Sequence, residues 1–192
     1  MENPDDLGWA RREVSASSVG GAPFLVAFGV TLFATGVVSW FVPVRTAALV
    51  ALFQGSLALP AAFWLERRMG AGPMSDRNPL KPLSIQLAMS QIVALPAVII
   101  AFSADPRFVP ATLAAIAGGH FLPYAWLQRT RVYTVLAVAI SIGAFAIQVA
   151  LKSDAFPWIL FYMSACYWIA APILYRNAQR LTHAAPSPMP GP

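Results

Sequence analysis

One histidine lies deep inside a long apolar stretch of this sequence, and it marks the best candidate for chemistry. His120 is the only acidic, basic or histidine side chain far from the ends of any such stretch. Tyr124 and Gln128 follow it at i+4 and i+8, which places the three side chains on one face of a helix. An ionisable group at membrane depth is a candidate for function by default. The sequence therefore predicts a functional site around His120.

The composition indicates that the elements holding this site sit in lipid. The chain is 58% hydrophobic and 11% charged, whereas soluble domains carry about 25% charged residues. Its 13 basic residues stand in short clusters beside apolar segments, a placement typical of membrane topology rather than of nucleic-acid binding. Cys166 is the single cysteine, which excludes an intrachain disulfide framework and any multi-cysteine metal site.

Six apolar segments are each about 20 residues long, enough for a helix to cross a bilayer. We expect an all-α fold, a six-transmembrane-helix bundle over residues 22–175. The predicted helices cover residues 22–42, 46–65, 83–102, 108–128, 132–151 and 156–175.

Both ends of the chain lie outside this bundle. Residues 1–21 are predicted to form a tail with a short interfacial helix, which starts at Asn3–Asp6 and aligns Leu7, Ala10 and Val14 on one face. Residues 176–192, which are rich in proline at their end, are predicted to be disordered.

The flanking charges predict the orientation of the bundle in a plasma (inner) membrane. Lysine and arginine are retained on the cytoplasmic side during insertion. Ten of these residues lie in the N-tail, in the linkers after the second and fourth segments and in the C-tail. Only three lie in the turns at the opposite side. Both termini are therefore predicted to be cytoplasmic. The boundary aromatics agree: Trp40 and Trp158 mark one side, and Trp64, Trp126, Tyr133 and Tyr175 mark the other.

A layer of polar side chains lies at the depth of His120. At a rise of 1.5 Å per residue, His120 is about 13 Å from Arg129, close to the midplane of a hydrocarbon core about 30 Å thick. The hypothesis is a midplane cavity that binds or passes a small solute. Its predicted lining is Gln54, Gln91, His120, Tyr124 and Tyr167.

A structural alternative stays open for the same layer. Polar side chains in membrane helices commonly bond to neighbouring helices, at about 1 kcal/mol or less each. On this interpretation the chain is a non-transporting accessory or structural protein. Small residues support helix packing too: the pairs Ala114–Gly118, Ala115–Gly119 and Ala139–Gly143 predict close contact between the fourth and fifth segments. Four prolines are expected to bend their helices, namely Pro60, Pro96, Pro123 and Pro172.

Enzymatic functions lack a recognisable motif. The sequence has no HExxH, no GxSxG and no Walker lysine loop. All eight carboxylates fall outside the predicted spans, which disfavours paired-carboxylate catalysis and a carrier built on buried acids. A membrane enzyme with its site in the linker 66–81 would have Asp76 as its one acid beyond Glu66. No cofactor is predicted. His120 could bind a haem, but the only other histidine, His183, lies in the tail.

Four short motifs carry a resemblance to a known family. They are Gly21-Ala22-Pro23-Phe24, Asn78-Pro79-Leu80, the SIQLAMSQ run of residues 84–91, and GGHFLPYAWL at residues 118–127. With them the chain resembles, from Gly21 to Tyr175, a family of small bacterial integral membrane proteins of unknown function. The resemblance implies a six-helix membrane fold. It implies no established activity, so no residue role is carried over from it.

Overall fold

The computed structural model describes residues 7–70 and 72–183, and within these ranges the chain forms nine α-helices and no strand. The predicted all-α class is confirmed. The helices are α1 Leu7–Ser17, α2 Ala22–Val38, α3 Val44–Phe53, α4 Gly55–Met69, α5 Lys81–Val93, α6 Leu95–Ala104, α7 Val109–Leu127, α8 Val132–Leu151 and α9 Ala155–His183. Short 3-10 turns precede α2, α7 and α9.

Five helical segments in the described ranges are long and apolar enough to cross a membrane. They are Val19–Val38, Val44–Met69, Lys81–Ala104, Pro106–Leu127 and Val132–Leu181. The last segment holds two helices, because the chain reverses at Lys152 (φ +51°) and α9 packs back along α8. The six predicted apolar segments therefore correspond to helices, two of which are broken.

The breaks lie in the second and third predicted segments. Between α5 and α6 the helix is interrupted at Ala94, as expected upstream of Pro96, whose ring cannot donate a hydrogen bond and clashes with the preceding turn. Between α3 and α4 the interruption at Gln54 precedes Gly55, a residue that weakens helices. The predicted bends at Pro123 and Pro172 do not interrupt their helices, because α7 and α9 continue through both.

The helices pack around α2 and α9, and α3 contacts α6 and α7. α2 contacts α4 and α9, α9 contacts α8, and α8 contacts α7. The α5–α6 pair lies outside α7. Buried apolar side chains such as Leu32, Ile140 and Leu160 fill the core, while large apolar side chains such as Val93 and Ile100 point outwards. An apolar surface of this extent suits lipid contact.

Glycines set the closest helix contacts. A Cβ on Gly36 of α2 would lie 2.7 Å from the ring of Phe161 on α9, and one on Gly29 would overlap the Trp168 indole. Bulky side chains of α9 therefore occupy notches in α2.

The predicted contact between the fourth and fifth segments is confirmed at Gly118. A Cβ there would overlap Oγ of Ser141 and lie 2.8 Å from the carbonyl oxygen of Ala137, both on α8. The other two pairs behave differently: Gly119 faces open space, and Gly143 accommodates Tyr162 of α9.

The bundle has two ends, which we call the α1 end and the far end. The α1 end holds α1, the linker residues 70 and 72–80 and the start of α8; the far end holds the turns at Asp105–Phe108 and Lys152–Asp154. The apolar face expected on α1 is present, and its Ala10 and Val14 are fully buried against Leu80 and Leu127. Its apolar face packs on protein rather than on lipid.

The chain ends also differ from expectation. α9 continues to His183, so residues 176–183 are helical rather than disordered. The predicted helix start at Asn3–Asp6 and the rest of the predicted disordered tail, residues 184–192, lie outside the described residues.

Candidate functional site

His120 lies on α7 at the interface with α5. Its ring centroid is 5.0 Å from that of Tyr124, so the two share a helix face as their spacing predicts. Its Nδ1 is 3.1 Å from Oγ of Ser90 on α5. The Ser90 hydroxyl donates its one proton to the Leu87 carbonyl at 2.7 Å, so it acts as acceptor toward the ring. The neutral tautomer that fits this arrangement carries its proton on Nδ1 and leaves Nε2 as an acceptor.

Aromatic rings connect His120 to the interior of the bundle. The centroids of Tyr124 and Tyr133 are 5.6 Å apart, as are those of Phe121 and Tyr133. Phe121 meets Tyr167 of α9 edge to face at 5.7 Å. We call these five residues the ring cluster; it joins α7, α8 and α9, and spacings of this kind are favourable for aromatic pairs.

Tyr133 is the member of this cluster whose burial the sequence pattern did not predict. It lies near the start of α8, and its side chain is only 3% exposed. Its hydroxyl donates to the Gly20 carbonyl at 2.6 Å. Gly20 and Gly21 have φ of +64° and +80°, and this left-handed backbone turns the chain from α1 into α2. The Gly20–Gly21 pair was the available signal for this turn.

The structure does not bring Gln54 and Gln91 into the ring cluster. The Gln54 side chain accepts a hydrogen bond from Thr31 on α2. Gln91 follows Ser90 on α5, about 100° further around the helix, and makes no side-chain hydrogen bond within the described part of the chain. Of the five predicted lining residues, His120 and Tyr124 are in contact and Tyr167 joins them through Phe121.

Several other polar side chains of the bundle join neighbouring helices. Ser164 of α9 donates to the Gly29 carbonyl of α2 at 2.6 Å, and Tyr162 of α9 donates to the Ala139 carbonyl of α8 at 2.9 Å. Gln128, expected on the His120 face, lies just past α7 and donates to Ser18 Oγ at 3.0 Å. These contacts hold helices together, whereas no side chain among the described residues hydrogen-bonds to Nε2 of His120.

A second polar group fastens α1 to the linker. Asn78 is 2% exposed. Its Nδ2 donates to the Ala10 carbonyl at 2.9 Å and to Glu13 Oε2 at 2.6 Å, and its Oδ1 accepts from the Leu80 amide. Burying a polar side chain is favourable only when it is hydrogen-bonded. Asn78 therefore fixes the linker against α1.

The charged groups with shifted pKa values at this end have structural causes. Arg11 stacks on Trp126 at 4.6 Å, and burial, followed by the nearby charge of Arg129, lowers the pKa of its guanidinium. The hydrogen bond from Lys81, together with its charge, lowers the pKa of Asp76. Within the described residues no three His, Cys, Asp or Glu side chains gather into a potential metal site.

A cavity of about 620 Å³ opens elsewhere, between α7 and α8 at the far end. We call it the far-end groove. Its lining is Asp105, Arg107, Phe108, Ala111, Ala115, Ser141, Phe145, Gln148, Val149, Lys152 and Ser153. None of these residues belongs to the ring cluster or to the predicted lining set.

Comparison with known proteins gives a family and no function. No curated protein matches the chain, and no solved structure matches it. A family model does match, and it covers residues 7–177, from the start of α1 into the last two turns of α9. The chain therefore belongs to DUF7010, a family of unknown function.

Proposed function

We propose that this chain is an integral membrane protein whose helical bundle binds a small uncharged solute at His120. The observation that carries the proposal is the state of the imidazole. Ser90 engages Nδ1 at 3.1 Å, and in the tautomer that this contact favours Nε2 is an acceptor with no side-chain partner in the described part of the chain. A half-buried acceptor without a partner is a place where a ligand with an O–H or N–H group gains a hydrogen bond that lipid cannot supply.

The surroundings of Nε2 define the class of solute. The ring cluster offers aromatic faces, and no ionised side chain is among its members. The matching ligand carries one hydrogen-bond donor on a flat apolar body. α5, on the other side of His120, has no buried residue, so the approach between α5 and α7 is thinly covered. Binding, rather than passage across the bilayer, is the step that these contacts support.

Histidine NMR tests the proposal directly. The chain has two histidines, His120 and His183, and His183→Gln leaves one labelled ring. In ¹⁵N-histidine protein in nanodiscs, we expect a neutral ring protonated at Nδ1. Phenol should shift the Nε2 resonance, whereas anisole, which has the same ring without the donor, should leave it in place. An Nε2 resonance that ignores phenol would contradict the proposal.

Thermal stability gives a second readout of the same site. Phenol should raise the melting temperature of the unmodified protein but not that of His120→Ala. Ser103→Ala, which removes an exposed hydroxyl bonded only within α6, is the matched control and should respond like the unmodified protein. An equal phenol response in His120→Ala would remove His120 from the site.

A second candidate is an accessory protein in which the polar layer only specifies helix packing. The bonds from Ser164 to Gly29 and from Tyr162 to Ala139 favour it. It predicts that His120→Ala lowers the melting temperature while no donor probe raises that of the unmodified protein.

The membrane placement has its own test. The proposed orientation keeps both termini in the cytoplasm of a bacterial cell, with six spans in the inner membrane. In a Cys166→Ser background, an impermeant maleimide added to spheroplasts should label Ser153→Cys at the far end and not Ser75→Cys in the linker. The reverse labelling pattern would invert the orientation, and labelling at both sites would contradict the six-span arrangement.

A further inference from the structure

The far-end groove owes its shape to one close contact. α7 and α8 touch at Gly118 and Ser141, where a Cβ on the glycine would overlap the serine hydroxyl. From there to the far end the groove lies between them, with a volume of about 620 Å³. Volumes of this size are typical of small-molecule sites.

The mouth of the groove carries a net positive charge. Arg107 and Lys152 line it together with a single acid, Asp105, whose carboxylate is 3.6 Å from Nη1 of Arg107. Two cations and one anion leave a formal charge of +1. Gln148 donates through Nε2 to the Lys152 carbonyl at 3.0 Å, but its Oε1 is buried without a hydrogen-bond partner. A buried acceptor of this kind is costly unless a donor reaches it.

The deeper part of the groove is apolar. Ala111 and Ala115 line it from α7, and Phe145 and Val149 line it from α8. From Ser141 to Lys152 the helix rises by about 16 Å, close to the thickness of one leaflet in a hydrocarbon core of about 30 Å. The cations thus stand at headgroup level when the apolar walls stand at acyl-chain level.

We propose that the far-end groove binds one singly anionic phospholipid of the glycerol-headgroup class. The phosphate pairs with Arg107 and Lys152, and a headgroup hydroxyl donates to Oε1 of Gln148. One acyl chain lies along Ala111 and Phe145. The inference rests on the membrane placement proposed above, but not on ligand binding at His120, so either can fail without the other.

Native mass spectrometry of the detergent-solubilised protein tests this site. The probes are phosphatidylglycerol and phosphatidylcholine with the same chains. The unmodified protein should bind phosphatidylglycerol in preference. Arg107→Gln and Lys152→Gln should each weaken that binding about fivefold, since one basic residue near a lipid surface contributes about that factor. Arg45→Gln is the matched control, because Arg45 lies at the same end but stacks on Phe102 outside the groove.

Two further measurements complete the test. Gln148→Leu should reduce the preference for glycerol over choline headgroups, and lipid-free melting temperatures will show that the variants fold. Unchanged phosphatidylglycerol binding in both Arg107→Gln and Lys152→Gln would overturn the proposal. It would also be overturned if glycerol phosphate alone competed as well as the lipid, because the acyl chain would then contribute nothing.

Discussion

α2 and the α5–α6 pair are both apolar enough to cross a membrane, yet they are held in opposite ways. Within the span of α2, 44% of an 18-residue apolar stretch is buried inside the protein. Within the span of α5 and α6, only 6% of such a stretch is buried. Phe161 and Trp168 of α9 pack against Gly36 and Gly29 of α2. α5 has no fully buried residue and meets α7 through half-buried side chains such as Leu87 and, in the described part of the chain, one hydrogen bond between side chains, from His120 to Ser90.

The difference shows that apolar composition does not determine how tightly a membrane helix is held. Lipid solvates apolar side chains as well as protein does, so association depends on close fit and on polar bonds between helices. α2 has the close fit. α5 has one polar bond, and that bond involves the residue with the free acceptor. Of the two interfaces, α2 with α9 and α5 with α7, the site proposed at His120 therefore lies at the more weakly held one.

The largest contrast is expected from deleting apolar side chains in the two regions. Leu160 of α9 is fully buried and Ile92 of α5 is 54% exposed. Leu160→Ala should lower the free energy of unfolding by about 2–5 kcal/mol, because it leaves a cavity. Ile92→Ala should change it by about 0.5 kcal/mol or less, as exposed positions do. SDS titration in mixed micelles measures both, and equal losses would contradict the contrast.

A smaller effect is expected from adding one methyl group to adjacent glycines of α7. Gly118→Ala should destabilise the fold by about 1–3 kcal/mol, because the methyl group meets Ser141 and the Ala137 carbonyl. Gly119→Ala, whose new Cβ has nothing within 4 Å, should be neutral or stabilising by up to about 1 kcal/mol, since alanine favours helix. Circular dichroism melts compare the two; destabilisation by Gly119→Ala would show that α7 is packed on both faces.

The smallest effect concerns the single polar bond of α5. Ser90→Ala removes the acceptor of His120 Nδ1, a bond worth about 1 kcal/mol or less. Amide hydrogen exchange in α5 should quicken about fivefold or less, while α2 keeps its protection. Ser103→Ala, which breaks only a bond within α6, should leave α5 unaffected. Equal protection of α5 in Ser90→Ala and the unmodified protein would show that other contacts hold it.

Much of the fold follows from the sequence because the length and apolarity of a helical segment are local properties. They depend on the surrounding solvent and not on distant parts of the chain. The helical segments lie where hydropathy predicts them, and the shared face of His120 and Tyr124 follows from helical periodicity. The contact of Gly118 with α8 was also predictable, because a small residue at that spacing permits backbone approach.

The rest depends on partners that lie far away in the chain. Tyr133 resembles a boundary residue because tyrosine is amphipathic, and only the carbonyl of Gly20, 113 residues earlier, brings its hydroxyl inside. Gln54 sits at the expected position along its segment, but its facing is decided by Thr31 on α2. The far-end groove lies between two helices, and the pattern within one segment carries no information on the space between segments.

The length of α9 has a consequence for the outline of the molecule. Its 29 residues span about 43 Å, roughly 13 Å more than a hydrocarbon core of about 30 Å. In the proposed membrane placement, an upright α9 and the α1 that packs against it extend beyond the hydrocarbon core on one side, whereas only short turns do so on the other. A soluble partner would then have more protein surface to contact on the α1 side than on the far side.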